Sequence, residues 1–454
     1  MPPRTSKPPR IAVLADSDTR WKWGASTADR IAPGGRAGPS TEAGPRGDAH
    51  VAPVPLLDGF LLRGRATPTP RQLAEVGVRA DSLREVTAVE FLRVMARESY
   101  DVLVLALVGG GVQAILHGLK RIWEDTRERP VVVTGYVGVV YEKLADGLLL
   151  RHGADLVLAN SRQDADRFRA VYEGVGADAS SVTEVALPFL GGAPYTGEHD
   201  PYTVVFAAQP SVPASREERT YLLNRLVRHA RLHPDREVLL KLRSRPGEHT
   251  THIEELPYQK LAQRLDLPPN VSLVYGNMGE VLDRTDLMVT VSSTAALESL
   301  HRRIPTVVLT DLGVREALGN HHFVGSGCLA SWDRLDAGHR PVPDEAWVAR
   351  QGVAADGSYA TAFDTARERI TELLARPAGL PPLTPYYSPA TAPGYLPGIL
   401  ARHHLAPDGT PLPGAPATDK DPGPVRRIVR RAARGAYRHG VQRVAPVIRR
   451  MGEL

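Results

Sequence analysis

Residues 286–313 read DLMVTVSSTAALESLHRRIPTVVLTDLG, and their reading decides the fold. An apolar run over 286–291 ends in Ser292-Ser293-Thr294, a helical pattern over 293–302 follows at once, and a second apolar run fills 305–310. Strand, helix and strand at this spacing make the repeating unit of a parallel sheet covered by helices. Hydroxyls beside the fresh N–H groups of a helix start suit a phosphate. Glu298 lies within that helix. The plainer reading is a Ser/Thr cap on an ordinary helix.

The same rhythm extends outward. Short apolar runs occur at 10–15, 101–107, 131–134, 154–159 and 182–187, and again at 203–208, 237–242, 271–275, 286–291 and 305–310. Amphipathic segments at 111–125, 139–153, 162–172, 218–233 and 293–302 separate many of them. Apolar runs alternating with helices predict parallel sheets buried on both faces. Two such sets predict an α/β chain of two Rossmann-like domains facing across a cleft. The expected divisions are an acceptor-side domain over 1–195, a donor domain over 196–376, a linker over 377–424 and a tail over 425–454. The Gly- and Pro-rich stretch 188–202 (PFLGGAPYTGEHDPY) marks the seam.

Composition limits the remaining possibilities. The chain has 454 residues and a mass of 49.2 kDa, a length that suits two or three domains. A single cysteine, Cys328, excludes a disulfide framework and cysteine-based metal centres. No run of about 18 apolar residues is present and no signal-peptide core opens the chain, so a cytoplasmic location is expected. The Ala/Arg/Gly/Pro bias is of the kind that high-GC bacterial genomes produce. Residues 32–50 hold five Gly and three Pro and are expected to form a mobile loop. Residues 377–424 hold thirteen of the 39 prolines and read as an extended linker outside the core.

Charge is concentrated at one end. Residues 420–454 carry Lys420 and nine arginines against Asp421 and Glu453, a net of +8, whereas the whole chain carries +5, leaving −3 for the body. No nucleic-acid partner is expected of such a body. Within the tail, apolar or small residues at 425, 428, 429, 432, 433 and 436 oppose arginines at 427, 430, 431, 434 and 438. That pattern predicts a basic amphipathic helix, interrupted at Pro446, that lies on an anionic membrane surface.

The Ser292-Ser293 pair and Glu298 resemble the S motif in the donor-binding domain of GT-B glycosyltransferases. The likeness is to the branch containing capsule sialyltransferases, polysialyltransferases and CDP-glycerol polymerases. The resemblance implies that this segment, with Thr294, binds the phosphate and sugar of a nucleotide donor. The chain to about residue 375 further resembles an uncharacterised actinobacterial glycosyltransferase family, through LADSDTRWKWG at 14–24. Related transferases carry Lys-x-His-Pro where this chain has Lys241-Leu-Arg243-Ser-Arg245-Pro246. The histidine is missing, but guanidinium forks suit phosphate. A solvated basic turn is the alternative. The resemblance also puts Gly276 and Asn277 near the nucleobase, and topology turns Gln209 toward the cleft.

In the first domain Asp16-Ser17-Asp18 follows the first strand. Inverting transfer needs a carboxylate or histidine to take the acceptor's proton, and Asp16 or Asp18 is expected to serve. Two metal-dependent readings fit less well. The Asp-x-Asp of GT-A enzymes does not sit on a first strand, and the haloacid-dehalogenase pattern lacks its later acidic loop. Arg20 and Lys22 suit an acidic acceptor, and Trp21 and Trp23 either stack on a sugar ring or anchor the loop. Gly109-Gly110-Gly111 fits a dinucleotide fingerprint, but the next strand ends in Thr134-Gly135-Tyr136 with no ribose carboxylate. Gly110, Gly111 and Tyr136 are therefore expected to line an acceptor site. The pairs His321-His322 and His403-His404 lack the spacing of a metal site.

The resulting expectation is an inverting, metal-independent glycosyltransferase without a cofactor. Its donor is a nucleotide sugar, with a CMP-linked nonulosonate favoured, and its acceptor is a lipid-linked or polymeric envelope glycan. A UDP-sugar 2-epimerase and a non-catalytic glycan-binding scaffold are the alternatives.

Overall fold

The computed structural model describes residues 8–32, 54–126, 128–138, 143–245, 248, 254 and 256–413. The loop expected over 32–50 therefore lies outside the described residues except for Ala32, and so does the basic tail over 425–454.

Two compact units divide the described residues. The first contains residues 8–138, 143–189 and 356–413, and the second contains 190–355. The first sheet is built from β1 (Arg10–Ala15), β2 (Leu56–Leu62), β3 (Ser82–Val86), β4 (Val102–Ala106), β5 (Val131–Gly135), β6 (Leu156–Ala159) and β7 (Val182–Glu184). Its order is β3-β2-β1-β4-β5-β6-β7, with every pairing parallel. Its helices are α1 (Asp18–Ile31), α2 (Pro70–Val76), α3 (Ala88–Met95), α4 (Gly109–Ile122), α5 (Leu144–Leu149) and α6 (Arg162–Gly174).

The second sheet is built from β8 (Thr203–Ala207), β9 (Glu237–Lys241), β10 (Val271–Val274), β11 (Leu287–Thr290), β12 (Thr306–Leu309) and β13 (Leu329–Ala330). Its order is β10-β9-β8-β11-β12-β13, again parallel throughout. Its helices are α7 (Arg216–Leu232), α8 (Tyr258–Ala262), α9 (Met278–Leu282), α10 (Ala295–His301), α11 (Trp332–Asp336) and α12 (Glu345–Arg350). All ten apolar runs expected as strands are strands. Helices cover both faces, so the central strands have no solvent side and read as continuous apolar runs.

Each sheet reverses strand order once, between β1 and β4 in the first and between β8 and β11 in the second. At such a reversal the flanking connections leave on opposite faces and open a crevice at the strands' carboxyl ends. These two crevices organise the candidate sites.

The chain's last described stretch departs from expectation. Residues 356–413 return to the first unit, so the donor-side unit ends at 355 rather than 376. Helix α13 (Asp364–Leu374) puts Ala366 and Ile370 into the first core beside Trp21, Ala25 and Ala28 of α1. Beyond it, residues 377–413 are not an open linker. Leu380, Leu383, Leu396, Leu400 and Leu405 are buried, and α14 (Leu396–Ala401) packs on α4. Arg129 grips Asp155 bidentately at 2.7 and 2.8 Å and also donates to the Pro381 carbonyl at 2.7 Å. Gly153, at φ +100°, leaves room for the Thr384–Pro385 backbone, which a Cβ would meet within 2.8 Å. The prolines set an extended path, and the leucines between them supply the attachment.

Candidate active site

At the crevice of the second sheet, Gln209 follows β8 and Ser292 follows β11. The Ser292 amide donates to Gln209 Oε1 at 3.0 Å, Gln209 Nε2 donates to Ser292 Oγ at 3.1 Å, and Ser292 Oγ donates to the Leu318 carbonyl at 2.6 Å. Ser292 is 3% exposed. Its hydroxyl is thus committed inside the fold, which corrects the expectation that it touches a donor. Ser292 and Gln209 form a latch across the strand-order reversal.

Ser293 and Thr294 come next and are half-buried. Ser293 Oγ accepts from the Ala295 amide at 3.2 Å. Thr294 precedes α10 with helical backbone angles and no side-chain cap bond. The sequence reading of a Ser/Thr cap therefore falls on Ser293, one residue earlier. Glu298 is half-buried in the first turn of α10.

The loop after β9 carries the basic residues. Lys241 is buried, with Nζ donating to the Leu242 carbonyl at 3.0 Å, so the expected donor contact is corrected to a core position. Arg243 is half-buried, and Arg245 is exposed with its guanidinium 5.5 Å from the Tyr275 ring centroid. Gly276, after β10, has φ +95°, and Asn277 caps α9 by accepting from the Gly279 amide at 2.7 Å. Both serve the turn that ends the edge strand.

Sequence reading missed Glu254. It pairs with Arg219 at 2.9 Å, and Arg219 is 1% exposed. Burial pushes the Glu254 carboxyl up to about 7, while Arg219, Ser244 and Arg243 pull it the other way. Arg219 also donates through Nη1 to the carbonyls of Gln209, Pro210 and Pro213 at 3.1–3.2 Å. One buried guanidinium therefore holds the loop on which the Gln209 latch sits. Glu254 carries no motif, so only tertiary structure reveals it.

At the crevice of the first sheet, Asp16 follows β1 and bridges to the end of β4. Its Oδ2 accepts from the Val108 amide at 2.9 Å, and its Oδ1 accepts from Arg20 Nη1 at 3.0 Å. Ser17 caps α1, and Asp18 stands in the first turn, where an anion suits the helix dipole. Lys22 lies 4.3 Å from the Phe189 ring centroid.

Several expected acceptor contacts are packed instead. Trp21 and Trp23 are 1% and 0% exposed: the 21, 25, 28 spacing turns one face of α1 into the core, and Trp23 is buried in the same core. Neither can stack on a sugar, and Trp23 Nε1 donates to Asn160 Oδ1 at 3.3 Å. Gly111 is buried against Leu107 within α4, and Gly110 is half-buried beside Ile399. The Tyr136 ring lies 3.9 Å from the Arg151 guanidinium, and burial raises its phenol pKa. His322 is buried. Among the described residues, no group of three or more His, Cys, Asp or Glu could hold a metal, and no helix is long and apolar enough to cross a membrane.

Residues 11–373 match the model of a family described as "Putative glycosyltransferase (DUF6716)". The chain belongs to that family. Among solved structures it resembles a "putative UDP-N-acetylglucosamine 2-epimerase from Listeria monocytogenes", at 13% identity and TM-score 0.50, over 83% of this chain and 100% of that one. It also matches the "Glycotransferase of kitacinnamycin" (15% identity, TM-score 0.43, 81% and 95% covered). A third match is the lipopolysaccharide outer core galactosyltransferase WaaB (11%, TM-score 0.41, 79% and 98%). The search of curated proteins finds no match. At these identities the structural likeness speaks to fold alone: two parallel α/β units, the arrangement typical of GT-B proteins.

Within this glycosyltransferase the two strand-order reversals differ in chemistry. The second unit offers hydroxyls, amides and arginines, which suit an anion. The first offers Asp16, whose two oxygens already accept from a guanidinium and an amide. Burial lowers the pKa of His403, on the returning C-terminal segment, and the Asp16 charge opposes that shift in part.

Proposed function

We propose that this glycosyltransferase is an inverting, metal-independent enzyme that takes its sugar from a nucleotide donor. A CMP-linked nonulosonate is the favoured donor, and an envelope glycopolymer or lipid-linked glycan is the acceptor. The donor lies on the second unit, with its phosphate toward Ser293, Thr294, Arg243 and Arg245. Glu298 faces the sugar side, and Gly276 and Asn277 border the base. Ser292 and Gln209 position this edge rather than touch the donor. The observation that supports this reading most is the latched reversal between β8 and β11, with hydroxyls and arginines on the same edge of the sheet. Cationic and hydroxyl donors ease departure of a phosphate in place of a metal. The CMP preference rests on the likeness of Ser292, Ser293 and Glu298 to the S motif.

Thermal denaturation with CMP, CDP, UDP and GDP tests the donor. A ligand at a hundred times its Kd stabilises by about 2.7 kcal/mol, so CMP is expected to raise Tm by several degrees. The S293A/T294A double variant is expected to lose most of that rise. No response to any nucleotide rejects the reading, and interconversion of UDP-sugars without nucleotide release marks a 2-epimerase instead.

The arginine-rich tail, residues 420–454, is proposed to hold the enzyme on anionic lipid at the inner membrane face, at about 1 kcal/mol per basic residue near the surface. Full-length protein is expected to sediment with phosphatidylglycerol vesicles at low salt, and protein lacking 420–454 to stay in the supernatant. Equal sedimentation of the two removes the membrane from the account.

A further inference from the structure

We propose that Tyr395 and Tyr387, on the returning C-terminal segment, form a stacking platform for the sugar rings of the acceptor glycan, with Asp146 holding both rings in place. The inference rests on the transfer reading above for its choice of a glycan, and gives that acceptor a place on the first unit.

The platform stands at the carboxyl edge of the first sheet, where ligands of parallel α/β sheets collect. Arg151 ties that edge together. It donates to the carbonyls of Leu107 after β4, Gly135 at the end of β5 and Gly147 in α5, at 3.2, 3.0 and 2.7 Å. Asp146 precedes Gly147 in α5 and is half-buried. The returning segment is fixed alongside. The Tyr387 carbonyl meets Gln113 Nε2 at 3.4 Å and His117 Nε2 at 3.0 Å on α4. Ile399, in α14, lies against Gly110 in the first turn of α4.

Tyr395 turns the unusual end to solvent. A surface tyrosine ordinarily buries its ring and leaves its hydroxyl in water. Here the Tyr395 hydroxyl donates to the Asp146 carboxylate, 3.0 Å from each oxygen, yet the residue is 42% exposed. What it shows to solvent is therefore ring. The Tyr387 hydroxyl donates to the same carboxylate at 3.2 Å, and its ring centroid lies 5.2 Å from that of Tyr395, at an interplanar angle of 74°. Burial first, then Asp146, pushes both phenols upward in pKa, so both hydroxyls stay protonated and keep donating. Gly394 and Gly398 flank Tyr395 in sequence and are exposed, and a Cβ at either would meet nothing within 4 Å. These positions put no side chain over the ring.

A pyranose suits such a surface. Its face of C–H bonds covers an aromatic ring, and its hydroxyls lie around the rim. A carboxylate offers about four lone-pair sites, and the two tyrosines make three contacts to Asp146, so a sugar hydroxyl can donate to it as well. Rings fixed before binding lose little freedom when a ligand arrives. Membership of a glycosyltransferase family makes a glycan the partner of this chemistry that the protein has to hold.

Saturation-transfer NMR on the full-length protein, without donor, tests this with maltotriose, mannotriose, chitotriose and sialyllactose. Wild type is expected to transfer saturation to the ring C–H protons of at least one of them. Y395A is expected to weaken that binding about tenfold, the scale of a lost aromatic contact. Y395F keeps the ring but frees it from Asp146, and is expected to bind about threefold more weakly than wild type. With ring-labelled tyrosine, the Tyr395 signal of wild type, assigned by its absence from Y395F, is expected to shift as that sugar is added. This measurement needs no destabilising variant. No transfer to any of the four sugars, Y395A binding within about twofold of wild type, or a Tyr395 signal that stays put overturns the inference. So does binding to phosphatidylcholine vesicles that Y395A abolishes without transfer to any sugar, which makes the ring a lipid contact. A nucleotide response without sugar binding removes this inference alone. Sugar binding at Tyr395 in a protein indifferent to every nucleotide upholds the platform and removes only the transfer reading.

Discussion

Replacing Asp286 by alanine is expected to destabilise the second unit by about 3–5 kcal/mol, the usual cost of stripping a buried charge from its partners. Asp286 is fully buried immediately before β11. Its Oδ1 accepts from the His199 amide and His199 Nδ1, each at 2.8 Å, and from the Tyr195 hydroxyl at 3.2 Å. Its Oδ2 accepts from the Thr203 amide at 2.7 Å. One carboxylate thus fastens the 195–203 approach to the first strand of this unit. The same environment raises the Tyr195 phenol pKa, by burial first and the carboxylate second. Alanine leaves the donors facing a space with no acceptor. At about 2–4 °C per kcal/mol, the unit's thermal transition falls by about 10 °C. The asparagine variant keeps the shape and one acceptor and is expected to fall between the two. Calorimetry on full-length protein checks this, and a change below about 2 °C would show that Asp286 is not the fastening point.

What the sequence could and could not reveal follows from the same physics. Strands buried on both faces are continuous apolar runs, so β1, β4, β5, β6, β8, β9, β11 and β12 stand out. β2 does not, because Asp58 and Gly59 interrupt it. Asp58 is legible only in three dimensions, where Arg10, Ser82 and Tyr100 bind it. β3 carries exposed residues along an edge and shows no run. α1 was open to a correct reading through its 21, 25, 28 spacing, yet its two tryptophans beside aspartates look like a sugar-stacking loop. Glycan contact and core packing call for the same aromatic residues, and only burial separates them. Among Ser292, Ser293 and Thr294, composition cannot say which hydroxyl turns inward. The Leu318 carbonyl, from a distant loop, settles that for Ser292. The returning segment was hidden because its leucines follow no helical or strand period. Their partners lie on α4 and on the first core, hundreds of residues earlier.

Arg219→Met is expected to have the second large effect, again about 3–5 kcal/mol, by leaving Glu254 and three carbonyls without their buried donor. Methionine fills similar space against Tyr258, whose ring centroid lies 4.1 Å from the guanidinium, so the loss reports polar pairing more than volume. The 209–213 loop is then free to move, and with it the Gln209 side of the latch to Ser292. Any nucleotide-induced rise in Tm is expected to shrink along with basal stability. pH separates the partners' roles. In the folded state the Glu254 carboxyl is raised to about 7 from an ordinary 4.5, so between those values the folded protein binds the extra proton. Stability therefore falls as pH rises through that window and levels off above about 7. Glu254→Gln is expected to flatten this dependence while retaining an acceptor for Arg219. Arg219→Met removes the cation that favours the charged carboxylate, so it steepens the fall and carries it to higher pH. Denaturation midpoints for the three proteins from pH 5 to pH 8 give the slopes directly. A wild-type slope that survives unchanged in Glu254→Gln would place the titrating group elsewhere.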